Sequence, residues 1–238
     1  MLQIERHNQI LDLLATTPAL RIGDIAKRLY ISEATVRRDL AAMEQKGLVE
    51  RVYGGVTLKK EDMPLDFRHR EHGDAKEEIA ERAVSLLRDG QTVFLDSSST
   101  AQHLLPYLAR FRNLTLITNS HQAVEELASS KIRVISTGGE FVTRNRAFVG
   151  EAAEATLARF CPEIAFFSSQ GLGLDGEITD SSEKETSLRR VAMQRALYRV
   201  FLCDASKLGK KFFYRLSHLS EMDEIITDSA FPADIFKK

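Results

Sequence analysis

The sequence predicts an α/β chain in two parts, a small helical head ending in a β-hairpin and a larger body with a mainly parallel sheet covered by helices. Three short helical patterns follow one another in the first 46 residues, and a hairpin signature closes them. From Lys76 onward, helical patterns alternate with short apolar, β-rich runs. The charge divides in the same way: residues 1–60 hold 10 Lys+Arg and 7 Asp+Glu, a net of +3, whereas residues 61–238 hold 23 and 27, a net of −4.

A chain of 238 residues suffices for two compact units. The expected division is a head over residues 1–58, a linker over 59–75 and a body over 76–238. With 43% hydrophobic and 28% charged residues, the composition reads as soluble and globular. No run of 18 apolar residues offers a membrane span, and the start MLQIERHNQI lacks the apolar core of a secretory signal. A cytoplasmic protein with no membrane partner is expected. The two cysteines, Cys161 and Cys203, sit beside apolar sequence and read as small buried thiols. No Cys or His lies at ligand spacing from another, so neither a metal nor a cofactor is expected.

In the head, the first pattern places Ile4, Leu11 and Leu14 on one face with Ile10 beside them, and ends near Thr16, Thr17 and Pro18. The second spaces Ile22, Ile25, Ala26 and Leu29 at helical intervals. Tyr30 and Ile31 form a tight connection, Ser32 is a natural N-cap for the third helix and Gly47 a natural stop. Successive helical residues turn by about 100°, which puts Val36, Leu40 and Met43 on an inward stripe and Ala34, Arg38, Ala41 and Gln45 opposite it. A flat partner can approach such a face closely around Arg38, with Arg37 and Thr35 on the flanks. That profile suits a major groove, where Arg holds guanine O6 and N7 by two hydrogen bonds. An isolated RR pair more often marks a solvated helix face. The preceding helix-turn-helix spacing and the following LVERVYGGVTL favour the DNA reading. Leu48 to Val52 and Val56 to Leu58 read as strands, with Tyr53-Gly54-Gly55 supplying the positive-φ positions of a tight hairpin. This wing can lay Arg51 or Tyr53 on the phosphate backbone.

The run ISEATVRRDLAAMEQKGLVERVYGG resembles the winged helix-turn-helix signature of the DeoR family of bacterial transcriptional regulators, and the match extends over about residues 5–57. The resemblance implies that operator DNA is the partner of Ser32, Ala34, Thr35, Arg37, Arg38, Arg51 and Tyr53.

Residues 59–75 are charged and broken by Pro64 and Gly73, with Leu65 and Phe67 as docking points. In the body, the candidate strands are 92–96, 114–118, 132–136, 164–168, 199–203 and 224–228; helices fit 76–88, 101–110, 120–129, 151–159 and 183–197. Ligands of such folds collect outside the carboxyl ends of the strands. What stands there is small and polar: Asp96-Ser97-Ser98-Ser99-Thr100, Thr118-Asn119-Ser120, Gly138-Gly139, Ser168-Ser169-Gln170-Gly171 and Asp204-Ala205-Ser206-Lys207. The hydroxyl-rich turn at 96–100 suits an anion seat at a helix N-terminus; taken alone such a turn is more often an ordinary helix cap, and the several polar strand ends in one sheet favour the ligand reading. Lys207 can add a cation to the same cleft.

This part too resembles the DeoR family, through LDSSST, ITNS, STGG, VG at 149–150, SSQGL, the E-x-x-L-R of Glu185 to Arg189, CDASKLG and IITD. The resemblance implies a sugar-phosphate sensor related in fold to ribose-5-phosphate isomerase, a phosphorylated sugar effector and an oligomeric repressor, dimer or tetramer. The implied effector residues are Asp96, Ser97, Ser98, Ser99, Thr100, Asn119, Gly138, Gly139, Gln170, Gly171, Glu185, Arg189, Asp204 and Lys207. Two departures stand out: Ser98 and Ser99 occupy positions where many members read Gly and Thr, and Arg189 stands where Lys is common. The competing class is an isomerase-like enzyme on a DNA-binding head, with Asp175, Glu177, Glu185 and Lys207 drafted as acid and base. No compelling catalytic pair supports it, so the expectation is a non-enzyme.

Overall fold

The computed structural model describes residues 2–17, 19–45, 48–58 and 65–232, and the chain divides into two compact units, Met1–Glu71 and His72–Lys238. Pro18, Gly47 and Pro64, to which the sequence reading gave stops and breaks, lie outside the described residues.

In the first unit, α1 (Gln3–Thr16), α2 (Ile22–Leu29) and α3 (Glu33–Gln45) pack around Ile10, Leu11, Leu14, Ile25, Val36, Leu40 and Met43. The inward stripe of α3 is the expected one. Ile4 is not part of the core: it is 70% exposed, nearly two turns before the core contacts of α1 begin at Ile10. Ser32 Oγ accepts the Thr35 amide at 3.2 Å and caps α3. The wing pairs β1 (Val49–Val52) with β2 (Gly55–Leu58) in an antiparallel register that sets Val52 opposite Gly55. Gly54 alone supplies the positive φ, +92°; Gly55 is needed for a different reason. A Cβ there would lie 2.5 Å from the Leu20 carbonyl oxygen, because Leu20 and Val56 exchange backbone hydrogen bonds of 3.0 and 2.9 Å that tie the wing to the helices. Of the stretch expected as linker, residues 59–64 lie outside the described residues, while α4 (Leu65–Arg70) is helical and Phe67 belongs to the core of this first unit.

The second unit is built on a six-stranded sheet. Its elements in chain order are α5 (Gly73–Val84), β3 (Thr92–Leu95), α6 (Ser99–Gln102), α7 (Leu105–Leu108), β4 (Thr115–Thr118), α8 (His121–Leu127), β5 (Arg133–Ser136), β6 (Glu140–Val142), β7 (Ala147–Val149), α9 (Glu151–Leu157), β8 (Ile164–Phe167), β9 (Gly171–Leu172), β10 (Glu177–Asp180), α10 (Glu183–Arg195), β11 (Tyr198–Cys203), β12 (Tyr214–His218) and β13 (Glu224–Thr227). Strands β13-β11-β8-β3-β4-β5 lie side by side and all run parallel. These are the six expected strands. Alternate residues feed two cores, as a period of two requires when both faces are covered. Val93, Leu95, Leu116, Phe166, Val200 and Leu202 join Ile79, Leu104 and Leu108 on one face; Phe94, Ile117, Phe167 and Phe201 join Leu157, Leu188 and Ala192 on the other.

Several features depart from the expectations. The helix expected over 101–110 is two four-residue pieces, α6 and α7, because Pro106 enters the first turn of α7, where it has no N–H to continue α6. Hairpin β6-β7 and the antiparallel sheet β12-β10-β9 were not foreseen. Cys161 is exposed at the end of the turn after α9, contrary to the buried reading, whereas Cys203 is buried in β11.

Candidate DNA-binding face and effector cleft

The exposed side of α3 carries Ala34, Arg38 and Gln45, with Ala41 half-buried beside them. Arg38 makes no hydrogen bond or ion pair among the described residues, so its guanidinium is available. Arg37 is paired along the helix with Glu33 at 3.0 Å. Ser32 Oγ lies 2.9 Å from Thr35 Oγ1, which leaves two hydroxyls at the start of the helix. On the wing, Arg51 Nε lies 3.1 Å from Glu44 Oε2 near the end of α3, and Tyr53 is fully exposed at the tip. Helix α3 and the wing thus share an ion pair, Arg51 with Glu44, that the sequence alone does not disclose.

In the body, the sheet order makes β3 and β8 neighbours from which the chain winds outward in opposite directions, and in open α/β sheets ligands bind beyond the carboxyl ends of such a strand pair. The residues expected there converge. Asp96 Oδ1 accepts the Ser98 amide at 3.0 Å and the Ser98 hydroxyl; Asp96 Oδ2 accepts Arg189 Nε at 2.6 Å and the Ser168 amide at 3.4 Å. Asn119 Oδ1 accepts the Ser97 amide at 3.0 Å, and its Nδ2 donates to Ser97 Oγ and to the Phe148 carbonyl, both at 3.2 Å. Ser98 Oγ also accepts the Ala101 amide and caps α6, so this serine serves the turn itself. The Ser99 hydroxyl, by contrast, has no partner among the described residues. Lys207 Nζ reaches across from the end of β11 to Thr100 Oγ1 at 2.8 Å, Ser168 Oγ at 2.6 Å and Asp204 Oδ2 at 3.3 Å.

The remaining expected residues stand around this centre. Glu185 is buried at the start of α10 and accepts Asn145 Nδ2 at 2.9 Å. Gln170 is half-buried and makes no hydrogen bond among the described residues; Gly171 opens β9. Gly138 has a positive φ and open space beside it, whereas Gly139, at φ +106°, passes so close to Val149 that a Cβ would lie 2.6 Å from its carbonyl oxygen.

Two further charges, absent from the expected site residues, are buried here. Asp180, at the end of β10, accepts Arg189 Nη1 at 2.9 Å. Lys76, in the first turn of α5, is 3% exposed. Burial opposes ionisation of Asp204, but the charge of Lys207, the Ser206 hydroxyl and the charge of Lys76 outweigh it and hold the carboxyl well below the usual carboxylate range. Burial likewise disfavours the Arg189 cation, and Asp180, Asp96 and Glu185 overcome it, raising the group above its ordinary value. The only sequence signal for Asp180 is its position closing the strand EITD, and for Lys76 there is none.

A groove-sized helix beside a β-wing, followed in the same chain by an α/β unit with a polar strand-end cleft, defines a DNA-binding regulator with a sensing domain. The chain belongs to the DeoR family of transcriptional regulators: the DeoR-like helix-turn-helix domain matches residues 6–62 and the DeoR C terminal sensor domain residues 71–229. The HTH-type transcriptional regulator GlpR of Haloferax volcanii is 31% identical over 237 residues, covering 98% of this chain and 93% of that protein. The lactose phosphotransferase system repressor of Staphylococcus epidermidis is 32% identical over 236 residues, covering 96% and 93%. Among solved structures, ribose 5-phosphate isomerase a from Methanocaldococcus jannaschii aligns at a TM-score of 0.43 and 19% identity, over 58% of this chain and 55% of that one.

Proposed function

We propose that this regulator is a repressor of a carbohydrate-utilisation operon that leaves its operator when a phosphorylated sugar enters the strand-end cleft. The carrying observation is the Lys207 ammonium set between Thr100 Oγ1 and Ser168 Oγ at the carboxyl ends of β3 and β8. Two of its N–H donors have acceptors in Thr100 and Ser168, and the Asp204 carboxylate stands 3.3 Å away as its ion-pair partner. A phosphate that takes over the ammonium frees the Thr100 hydroxyl to donate to it, and the Ser99 hydroxyl adds a second donor, while the Ser168 hydroxyl stays donated to the Leu202 carbonyl at 2.5 Å. Each charge-assisted hydrogen bond contributes about 1.5 to 3 kcal/mol, enough to bias a two-state body when only one state closes around the ligand. Asp96, Ser97, Ser98, Asn119 and Arg189 hold the turn in shape in this reading. Glu185, Asp204, Gln170 and the 138–139 and 171 glycines line or support the sugar.

The test uses the full chain on its operator duplex, with a panel of sugar phosphates and their unphosphorylated parents. A phosphorylated member is expected to raise the melting temperature and release DNA, while Ser99→Asp binds DNA and no longer responds. Activity of unphosphorylated sugars alone would overturn the reading, as would full response in both Ser99→Asp and Lys207→Ala.

The regulator is read as a non-enzyme. Asp175 pairs with Lys211 at 2.6 Å and Glu177 with Arg215 at 3.1 Å, and Glu177 starts the strand that Asp180 ends, about 10 Å away from the Arg189 network. Turnover of pentose or hexose phosphates by the purified chain would reverse this. Two-fold operators favour a dimer or tetramer, which sedimentation at micromolar concentration tests. Among the described residues no helix is long and apolar enough to cross a membrane, and DNA binding fits a cytoplasmic site. Activation instead of repression would follow from an operator upstream of the promoter, which footprinting resolves.

A further inference from the structure

The recognition helix carries a buried charge that DNA contact does not explain. Asp39 follows Arg38 in α3 and is 1% exposed. It is gripped from α1: Arg6 Nε donates to Oδ2 at 2.6 Å, Arg6 Nη2 donates to Oδ1 at 2.9 Å, and His7 Nε2 lies 3.4 Å from Oδ1. Burial opposes the ionised form, and the Arg6 hydrogen bond and charge, with His7 beside them, outweigh it and lower the carboxyl below its ordinary value.

Stability is a weak reason for such a pair, since apolar residues of similar volume in its place are often neutral or stabilising. What the pair supplies is direction. The stripe of Val36, Leu40 and Met43 attracts α3 to the core, but apolar burial is non-directional and tolerates a small rotation of the helix about its own axis. A two-bond guanidinium–carboxylate fork has a fixed geometry and does not. The tip of an extended arginine stands roughly 9 Å from the helix axis, so a rotation of about 10° swings it by about 1.5 Å, more than a bidentate contact to a base edge tolerates. With Asp39 clamped inward, Arg38, one residue and about 100° away, is fixed on the outward face.

We propose that Arg6 and Asp39, with His7 alongside, are positioning residues for base reading: they set the rotation of α3 and act on DNA through Arg38. The test is made on the full chain, with a duplex recovered from a randomised library by the wild type and a scrambled duplex of the same length. The quantity read is the ratio of the two dissociation constants, together with the melting temperature and the salt dependence on the scrambled duplex. Arg6→Met/Asp39→Leu replaces the pair by apolar volume. It is expected to keep its melting temperature within a few degrees and its salt dependence, and to lose at least about tenfold in discrimination. Arg6→Lys, which keeps the charge without the fork, is expected to fall between. Undiminished discrimination in the double variant overturns the proposal. So does discrimination that follows melting temperature across Arg6→Lys, Asp39→Asn and the double variant, because that is what a purely structural pair would show. Should the double variant fail to fold, Arg6→Lys and Asp39→Asn are read below their melting temperatures, and wild-type discrimination in both overturns it equally.

Discussion

Replacing Arg189 with methionine tests the centre of the second unit. The methionine keeps much of the aliphatic stem but leaves Asp96 and Asp180, each 1% exposed, without the cation that bonds them at 2.6 and 2.9 Å. Breaking a buried pair by removing one partner costs about 3 to 5 kcal/mol, and here one cation serves two carboxylates, which points to the upper half of that range. A unit of this size loses roughly 2 to 4 °C of melting temperature per kcal/mol, so a fall of roughly 8 to 20 °C is expected. The first and second units have separate cores, so the assay must follow the second unit's own transition, by scanning calorimetry of the full chain. Arg189→Lys keeps one charge without the forked reach and should fall between. Below its transition, Arg189→Met should still bind operator DNA and fail to respond to effector, because Asp96 no longer holds the 96–100 turn. A second-unit transition within 2 °C of wild type would refute the reasoning, since the network would then contribute about 1 kcal/mol at most.

Arg38→Ala should weaken operator binding by about 1 to 3 kcal/mol and blur base preference, whereas Arg51→Ala should weaken all duplexes alike and flatten the salt dependence; fluorescence anisotropy across a salt series separates the two, and equal nonspecific losses would remove Arg38 from base reading. Asp204 is held below its ordinary value, so its contribution to stability is complete above the unfolded value of about 3.9 and is lost as pH falls from there through the folded value. Urea unfolding at pH 7 and pH 3 should therefore show a large gap between wild type and Asp204→Asn at neutral pH and a smaller one in acid; a gap independent of pH would count against the Lys207–Asp204 pair. A maleimide should modify only Cys161 in the folded chain, because Cys203 is buried and burial pushes its thiol up to about 12; mass spectrometry should count one adduct in buffer and two in denaturant.

Most of the helices and the six strands of the parallel sheet were legible because their signals are local. A strand writes its two faces into alternate residues, as Val93 and Leu95 against Phe94 do, and a helix writes its buried stripe every three or four residues, as Val36, Leu40 and Met43 do. Ser32 and the polar strand ends were legible in the same way, since caps and turns are chosen by the backbone groups next to them. Local signals also misled at the margins: Ile4 continues the periodicity of α1 beyond the core, and the linker composition of 65–70 did not disclose that these residues form a helix, although Phe67 was legible as a docking point. Tertiary structure alone decided which strand ends meet. The order β13-β11-β8-β3-β4-β5 puts Ser168 beside Asp96 and brings Lys207 to Thr100, 107 residues away in sequence. It also decided which charges are buried. Asp39 beside Arg6, 33 residues apart, and Asp96 beside Arg189, 93 apart, each look solvated alone, because a charge leaves water only when a distant partner replaces the hydration it gives up, and no window of neighbouring residues contains that partner.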